Sequence, residues 1–276
     1  MKKAFALLLS LALLLGTAGA LAQNQRVVIG ATPVPHQLIL EFIKDDLAAL
    51  GFDLDILTFT DYVLPNPATS AGELDANYFQ HVPYLNLYNA NVPDSEKLVA
   101  AIPVHYEPYG IYAGTKDSLD QIAAGDHIAI TNDPSNETRA LLLLRDAGLI
   151  TLADDVTWES SLTKLDVVDA KGIIIDEVNA ELIPSTLEDV AFAVINGNFA
   201  IGAGLNPAED ALFLEPVDSE SGVTYTNYVV VKAGRENEPF VEALRSVLYT
   251  QKVRDFILNH EDFKGGVIPT FPEPAQ

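Results

Sequence analysis

The chain contains no cysteine. Structural disulfides, thiolate metal sites and cysteine nucleophiles are therefore excluded, as is a lipid-modified cysteine of the bacterial kind. Positive charge is scarce: 16 Lys and Arg stand against 39 Asp and Glu, a net charge of −23. That balance argues against nucleic-acid binding, which needs a positive surface, and against adhesion to anionic lipid heads. It reads most simply as a solubilising surface. Catalytic signatures are missing too. No Gly-x-Ser-x-Gly elbow, Walker-type phosphate loop or His-Glu-x-x-His pair occurs. Gly110–Gly114 and Gly202–Gly204 lack the spacing of nucleotide loops. The histidines show no close ligand spacing, so zinc held by His36, His81 and His105 stays open only through convergence in space.

The N-terminus has the pattern of a secretory leader. Lys2 and Lys3 precede an apolar run from Ala4 to Leu15, too short for a comfortable membrane span. Ala20-Leu21-Ala22 then offers an Ala-x-Ala cleavage site. Residues 1–22 are thus expected to be a signal peptide, with an uncleaved anchor as the alternative. No later segment is apolar enough to cross a membrane. The expected product is exported and periplasmic.

With 276 residues, two lobes are expected. Val27–Gly30, Asp53–Thr58 and Leu74–Phe79 read as strands, alternating with a helix over His36–Leu50 and a short one ending near Gly72. The order returns in strands at His127–Thr131, Gly172–Ile175 and Val190–Ile195, with helices over Asn136–Ala147 and Asn179–Leu187. Strand and helix in alternation imply parallel-rich sheets with helices on their faces. Glu107–Tyr112 and Tyr225–Val231 read as extended crossings forming a two-stranded hinge. A helical tail, Glu238–Asn259, is expected to pack back on the first lobe. The expected lobes are residues 26–110 with 227–276, and 111–226.

Ligands of open α/β sheets bind at the carboxyl ends of strands. Tyr62, Phe79, His81 and Tyr84 fall there, as an aromatic wall with one polar member. Arg139 follows Asn132-Asp-Pro-Ser-Asn136 at a predicted helix start, where free N–H groups favour an anion. It is either a surface arginine paired with Glu137 or Asp133, or a two-pronged carboxylate clamp. Asn196 and Asn198 flank Gly197 in what is either a turn or a set of amide contacts. Asn227 sits in a strand, where asparagine is disfavoured, and so invites a functional role.

Thr32-Pro-Val-Pro-His36, Phe59-Thr-Asp-Tyr62, Asp75 to Tyr84, Asn132 to Asn136 with Arg139, and Ala193 to Asn198 together resemble the methionine-binding proteins of bacterial ABC importers, the NlpA/MetQ family. The resemblance runs from about Val27 to Phe271. It implies a two-lobed periplasmic binding protein, type II-like, that closes on its ligand, is not an enzyme and has no cofactor. It matches Tyr62, Phe79, His81 and Tyr84 to the wall around a thioether. Arg139 matches the carboxylate clamp with Asn136 beside it, and Asn196 and Asn227 match the amides at the polar end. The implied partners are L-methionine, an ABC permease and its ATPase, with the protein a monomer. D-methionine, a methionine-containing dipeptide, another amino acid, a metal ion and an unknown enzymatic activity remain alternatives. Tyr109 stands where methionine is frequent in such proteins, and Tyr78 where phenylalanine is. Either would shift selectivity if it touched the pocket.

Overall fold

The computed structural model describes residues 24–157, 160–216, 220–263 and 265–273. The leader at residues 1–22 lies outside them. β1 (Gln25–Ala31) leads through a kinked turn at Pro33–Gln37 into α1 (Leu38–Ala49). Next come β2 (Phe52–Thr58), α2 (Pro65–Ala71), β3 (Ala76–His81), α3 (Val82–Ala90) and β4 (Leu98–Tyr106). The chain then crosses to β5 (Gly110–Ala113), β6 (His127–Thr131), α4 (Pro134–Asp146), β7 (Ile174–Val178) and β8 (Phe192–Ile195). It continues through α5 (Gly197–Gly202), α6 (Pro207–Asp210), β9 (Ala211–Leu214) and α7 (Glu220–Thr224). It returns as β10 (Asn227–Lys232), α8 (Pro239–Leu248), α9 (Gln251–Asn259) and β11 (Ile268–Pro269).

The strands form a six-stranded sheet, β11-β4-β10-β3-β1-β2, and a five-stranded sheet, β7-β6-β8-β5-β9. The two share one plan. In the first, β1 lies parallel between β2 and β3, and β10 then runs antiparallel between β3 and β4. In the second, β6 lies parallel between β7 and β8, and β5 runs antiparallel between β8 and β9. Each antiparallel strand comes from the far side of a chain crossing. This is a mixed α/β, two-sheet architecture with parallel strands in both sheets.

Each sheet has its own core. Val27, Ile29, Val229 and Val231 pack with Ile39, Leu40 and Ile43 of α1 and with Leu244, Leu248 and Val253 of the tail. Ile128, Ile130 and Val194 pack with Leu141–Leu144 of α4. At about 25 cal/mol per Å2 of buried apolar area, such fully buried aliphatic faces dominate the stability of each unit.

Several boundaries move for identifiable reasons. The first α-helix starts at Leu38 and is entered through a wider helical turn over Pro33–Gln37, broken at Val34, which Pro35 holds extended (φ −131°, ψ 136°). Ala180–Thr186 is 3-10 helix with Pro184 inside it, where an α-helical hydrogen bond is impossible. The tail is two helices, the second capped by Thr250, whose Oγ1 accepts from Val253 N at 3.2 Å. Gly72 caps α2 at φ 79°, a left-handed value suited to glycine. Tyr225–Val231 is not a crossing strand: β10 begins at Asn227 and lies within the first sheet. The return crossing runs from Glu215 to Thr226 and includes α7. The two crossings meet where Glu215 N donates to Tyr109 O at 2.9 Å.

Beneath β3, buried Asn77 donates to Asn66 Oδ1 (3.0 Å) and Thr69 Oγ1 (2.7 Å), and accepts from Gln80 Nε2 (2.7 Å). Asn77→Ala leaves these buried partners unsatisfied and should cost about 2–3 kcal/mol in urea unfolding. A loss below about 0.5 kcal/mol contradicts the network's role.

Candidate ligand-binding site

β3 ends at His81, and antiparallel β10 begins at Asn227 on the same edge of the first sheet. The register seats Asn227 between His81 and His105. In the second sheet, β6 and β8 end at Thr131 and Ile195, just before Asn136 and Asn196. These two edges line one narrow cavity of about 20 Å3. Tyr62, Phe79, His81, Tyr84 and Asn227 line it from the first unit, and Asn136, Arg139 and Asn196 from the second. These eight residues thus come together, and Asn198 joins them.

Tyr62, Phe79 and Tyr84 form a triangle with ring centroids 5.7–5.9 Å apart. Tilted and edge contacts of this kind suit the ring quadrupoles. Phe199 packs on Tyr62 at 4.9 Å from the opposite unit, and nothing in the sequence singled it out. Tyr84 donates to Tyr62 O at 2.8 Å, and Tyr62 donates to Asn198 Oδ1 at 2.5 Å across the two units. Burial pushes the Tyr62 hydroxyl well above its usual range, so it remains a donor.

α4 begins at Pro134, so Arg139 lies in its second turn, not its first. The anion position at the helix start is already filled by Asp133, whose carboxylate accepts from Asn136 N (3.0 Å) and Ser135 Oγ (2.9 Å). Glu137 points elsewhere and accepts from Lys164 N at 2.8 Å. Arg139 is therefore neither at the surface nor paired with those acids. It is 3% exposed and paired with Glu215, 76 residues away. Nε donates to Glu215 at 3.2 Å, and Nη2 donates to Glu215 and to Glu107 O, the latter at 2.8 Å. Its guanidinium lies 4.3 Å from the Tyr225 ring centroid and 4.9 Å from that of Tyr109. Nη1 has no partner among the described residues, in a side chain that lines the cavity.

The polar groups have fixed orientations. His81 caps α3: Nδ1 accepts from Tyr84 N at 3.3 Å, so Nε2 carries the proton and donates to Asn136 Oδ1 at 3.1 Å. Asn136 Oδ1 also accepts from Asn196 Nδ2 at 3.1 Å, while its Nδ2 is held by Asp133 at 3.0 Å. Asn196 Oδ1 accepts from Tyr109 at 3.2 Å. Asn227 Oδ1 accepts from His36 Nε2 at 3.1 Å, which turns its NH2 group away from that histidine. Burial holds His81 neutral, with its pKa lowered to about 3, and the nearby Arg139 charge adds to the effect.

The family model described as NlpA lipoprotein matches residues 27–271. The chain belongs to that family. The D-methionine-binding lipoprotein MetQ of Escherichia coli is 39% identical over 228 residues, 80% of either chain. A nutrient-binding protein of Burkholderia cenocepacia, solved bound to methionine, is 34% identical with a TM-score of 0.81, covering 89% of this chain and 100% of that one. A periplasmic substrate-binding protein of an ABC transporter from Coxiella burnetii is 35% identical with a TM-score of 0.78, covering 88% and 100%. Both the family and the E. coli relative carry the word lipoprotein, whereas this sequence has no cysteine to bear a lipid.

Two acids that the sequence did not single out complete this family member's site. Glu215 binds Arg139, and Glu107 lines the cavity. Glu107 accepts from His105 Nε2 at 2.7 Å and approaches His36 Nε2 at 3.5 Å. Desolvation raises its pKa, partly opposed by the coulombic pull of His36 and a hydrogen bond from the Asn198 backbone. Gly197 is required beside it, because a Cβ there would stand 2.7 Å from Glu107 Cβ. Long sequence separation hid both acids; only their place beside predicted crossings could have pointed to them. The zinc set of His36, His81 and His105 is not assembled. His36 and His105 do cluster with Glu107, but His81 belongs to the cavity wall. Tyr78 lies behind the wall, bonded to His105 Nδ1, and Tyr109 reaches the cavity only through Asn196 and Arg139.

His81 gives a signed pH test. Its pKa is depressed in the folded state, so its contribution is complete above the unfolded value near 6.5 and falls as pH drops toward about 3. The stability difference between wild type and His81→Gln should therefore shrink by roughly 2 kcal/mol between pH 7.5 and pH 5. A difference independent of pH in urea titrations contradicts the neutral, buried histidine.

Proposed function

We propose that this chain is an extracytoplasmic solute-binding protein that captures L-methionine and delivers it to an ABC permease and its ATPase. One observation carries the proposal: a buried guanidinium with an open nitrogen and a triangle of aromatic rings line the same cavity. Arg139 Nη1 takes the α-carboxylate. Glu107, which lines the same cavity, takes the α-ammonium on its carboxylate. The Asn227 amide completes the polar end, while Asn136 and Asn196 hold His81 and one another in place. Tyr62, Phe79 and Tyr84 take the thioether, whose sulfur is favourable against ring edges. The methionine-bound relative and the ABC-transporter relative support this assignment. No chemistry on the ligand is involved.

The lobes are residues 26–110 with 227–276, and 111–226, closing about the crossings that meet at Tyr109 and Glu215. Closure is a two-state step, and the ligand acts by preferring the closed form. The protein works as a monomer outside the cytoplasmic membrane, after cleavage following Ala22.

Arg139→Lys keeps a cation beside Glu215 but loses the planar fork. It should fold and weaken L-methionine binding by about thirtyfold or more in calorimetry. Unchanged affinity contradicts the clamp. Running L-methionine, D-methionine and methionyl dipeptides side by side by thermal shift identifies the preferred ligand as the one giving the largest rise.

A further inference from the structure

Glu215 is 1% exposed and holds three donors: Arg139, the Tyr106 hydroxyl, and Tyr109 N at 3.2 Å. A ligand carboxylate on Arg139 Nη1 would be the second carboxylate on one guanidinium. Building on the methionine assignment, we propose that Glu215 is a resident competitor for the ligand's carboxylate and sets the affinity of the clamp below that of a bare arginine.

The alternative role is purely positional, and the contacts decide between them. Arg139 is held without Glu215. Nη2 donates to Glu107 O at 2.8 Å, and the guanidinium lies within 5.6 Å of three tyrosine ring centroids, those of Tyr225, Tyr109 and Tyr106. Glu215 is likewise seated by Tyr106 and Tyr109 N, donors that a glutamine oxygen can equally satisfy. With the glutamine oxygen at the Oε2 position those donors stay satisfied, while its NH2 group replaces Oε1, an acceptor for Arg139 Nε; the change therefore removes one negative charge and loosens one contact to the guanidinium. In a water-poor site, two carboxylates a few ångströms apart repel strongly. The same charge compensates Arg139 when the ligand is away, and its loss leaves a buried cation that a ligand carboxylate then satisfies. Both effects act in one direction. Glu215 weakens the hold on a carboxylate ligand, and related ligand-binding changes appear mainly in the rate of release.

The test is Glu215→Gln, with L-methionine and L-methioninamide measured by competition calorimetry on wild type and variant. The amide keeps the thioether and ammonium but lacks the carboxylate charge. L-methionine should bind the variant about tenfold more tightly, and the amide should stay within about twofold. The ligand-free variant should also melt lower than wild type and gain more from methionine. Weaker or unchanged methionine binding overturns the proposal, as does an equal shift for both ligands. A variant that fails to fold even with saturating methionine also overturns it, because the ligand is held to replace the missing charge. Wild type that binds no methionine defeats the proposed function, and this inference with it.

Discussion

Burying a guanidinium is costly without a compensating charge and a place for its N–H groups, and Arg139 is 3% exposed. Much of the interior between the two sheets answers to that constraint. Glu215 supplies the charge, the Glu107 carbonyl takes one N–H, and three tyrosine rings surround the cation. These partners come from the end of β4 and from both crossings. Satisfying one arginine therefore draws the crossings together where Tyr109 and Glu215 pair. What remains of its donor set, Nη1, is a direction in which an anion can be received.

The buried histidines have no such compensating acid strong enough to hold their charge. His36 is held down to about 4, and His81 and His105 to about 3, chiefly by desolvation. As neutral rings they donate in fixed directions. His81 orients Asn136, His36 orients Asn227, and His105 holds Glu107. A zwitterion needs such fixed dipoles at its polar end and a dry surface at its side chain. The same edges of the same sheets supply both.

Much of this was legible in the sequence. Apolar periodicity located the strands of both units; strand ends then pointed to Tyr62, Phe79, His81 and Asn196, a helix start to Arg139 and an ill-fitting strand residue to Asn227, and all six line one cavity. Local pattern was informative because β-strand ends and helix starts are local features. It failed where the partner was remote. Glu215 and Arg139 are 76 residues apart, and no spacing connects them. The anion site read at the start of α4 failed for a local reason: Asp133 caps its own helix. The crossing drawn through Tyr225–Val231 failed because a β-rich segment does not reveal which sheet it joins, and β10 belongs wholly to the first.

The central claim is that one cavity grips both ends of one small molecule, charge at Arg139 and sulfur among the rings. Sulfur is its own reporter in this chain, which has no cysteine and only Met1 as methionine. A crystal grown with L-methionine, measured at long wavelength, should show an anomalous sulfur peak about 5 Å from the ring centres of Tyr62 and Phe79. The ligand carboxylate should lie within hydrogen-bond distance of Arg139 Nη1. A sulfur peak outside that cavity, or a carboxylate turned away from Arg139, contradicts the account.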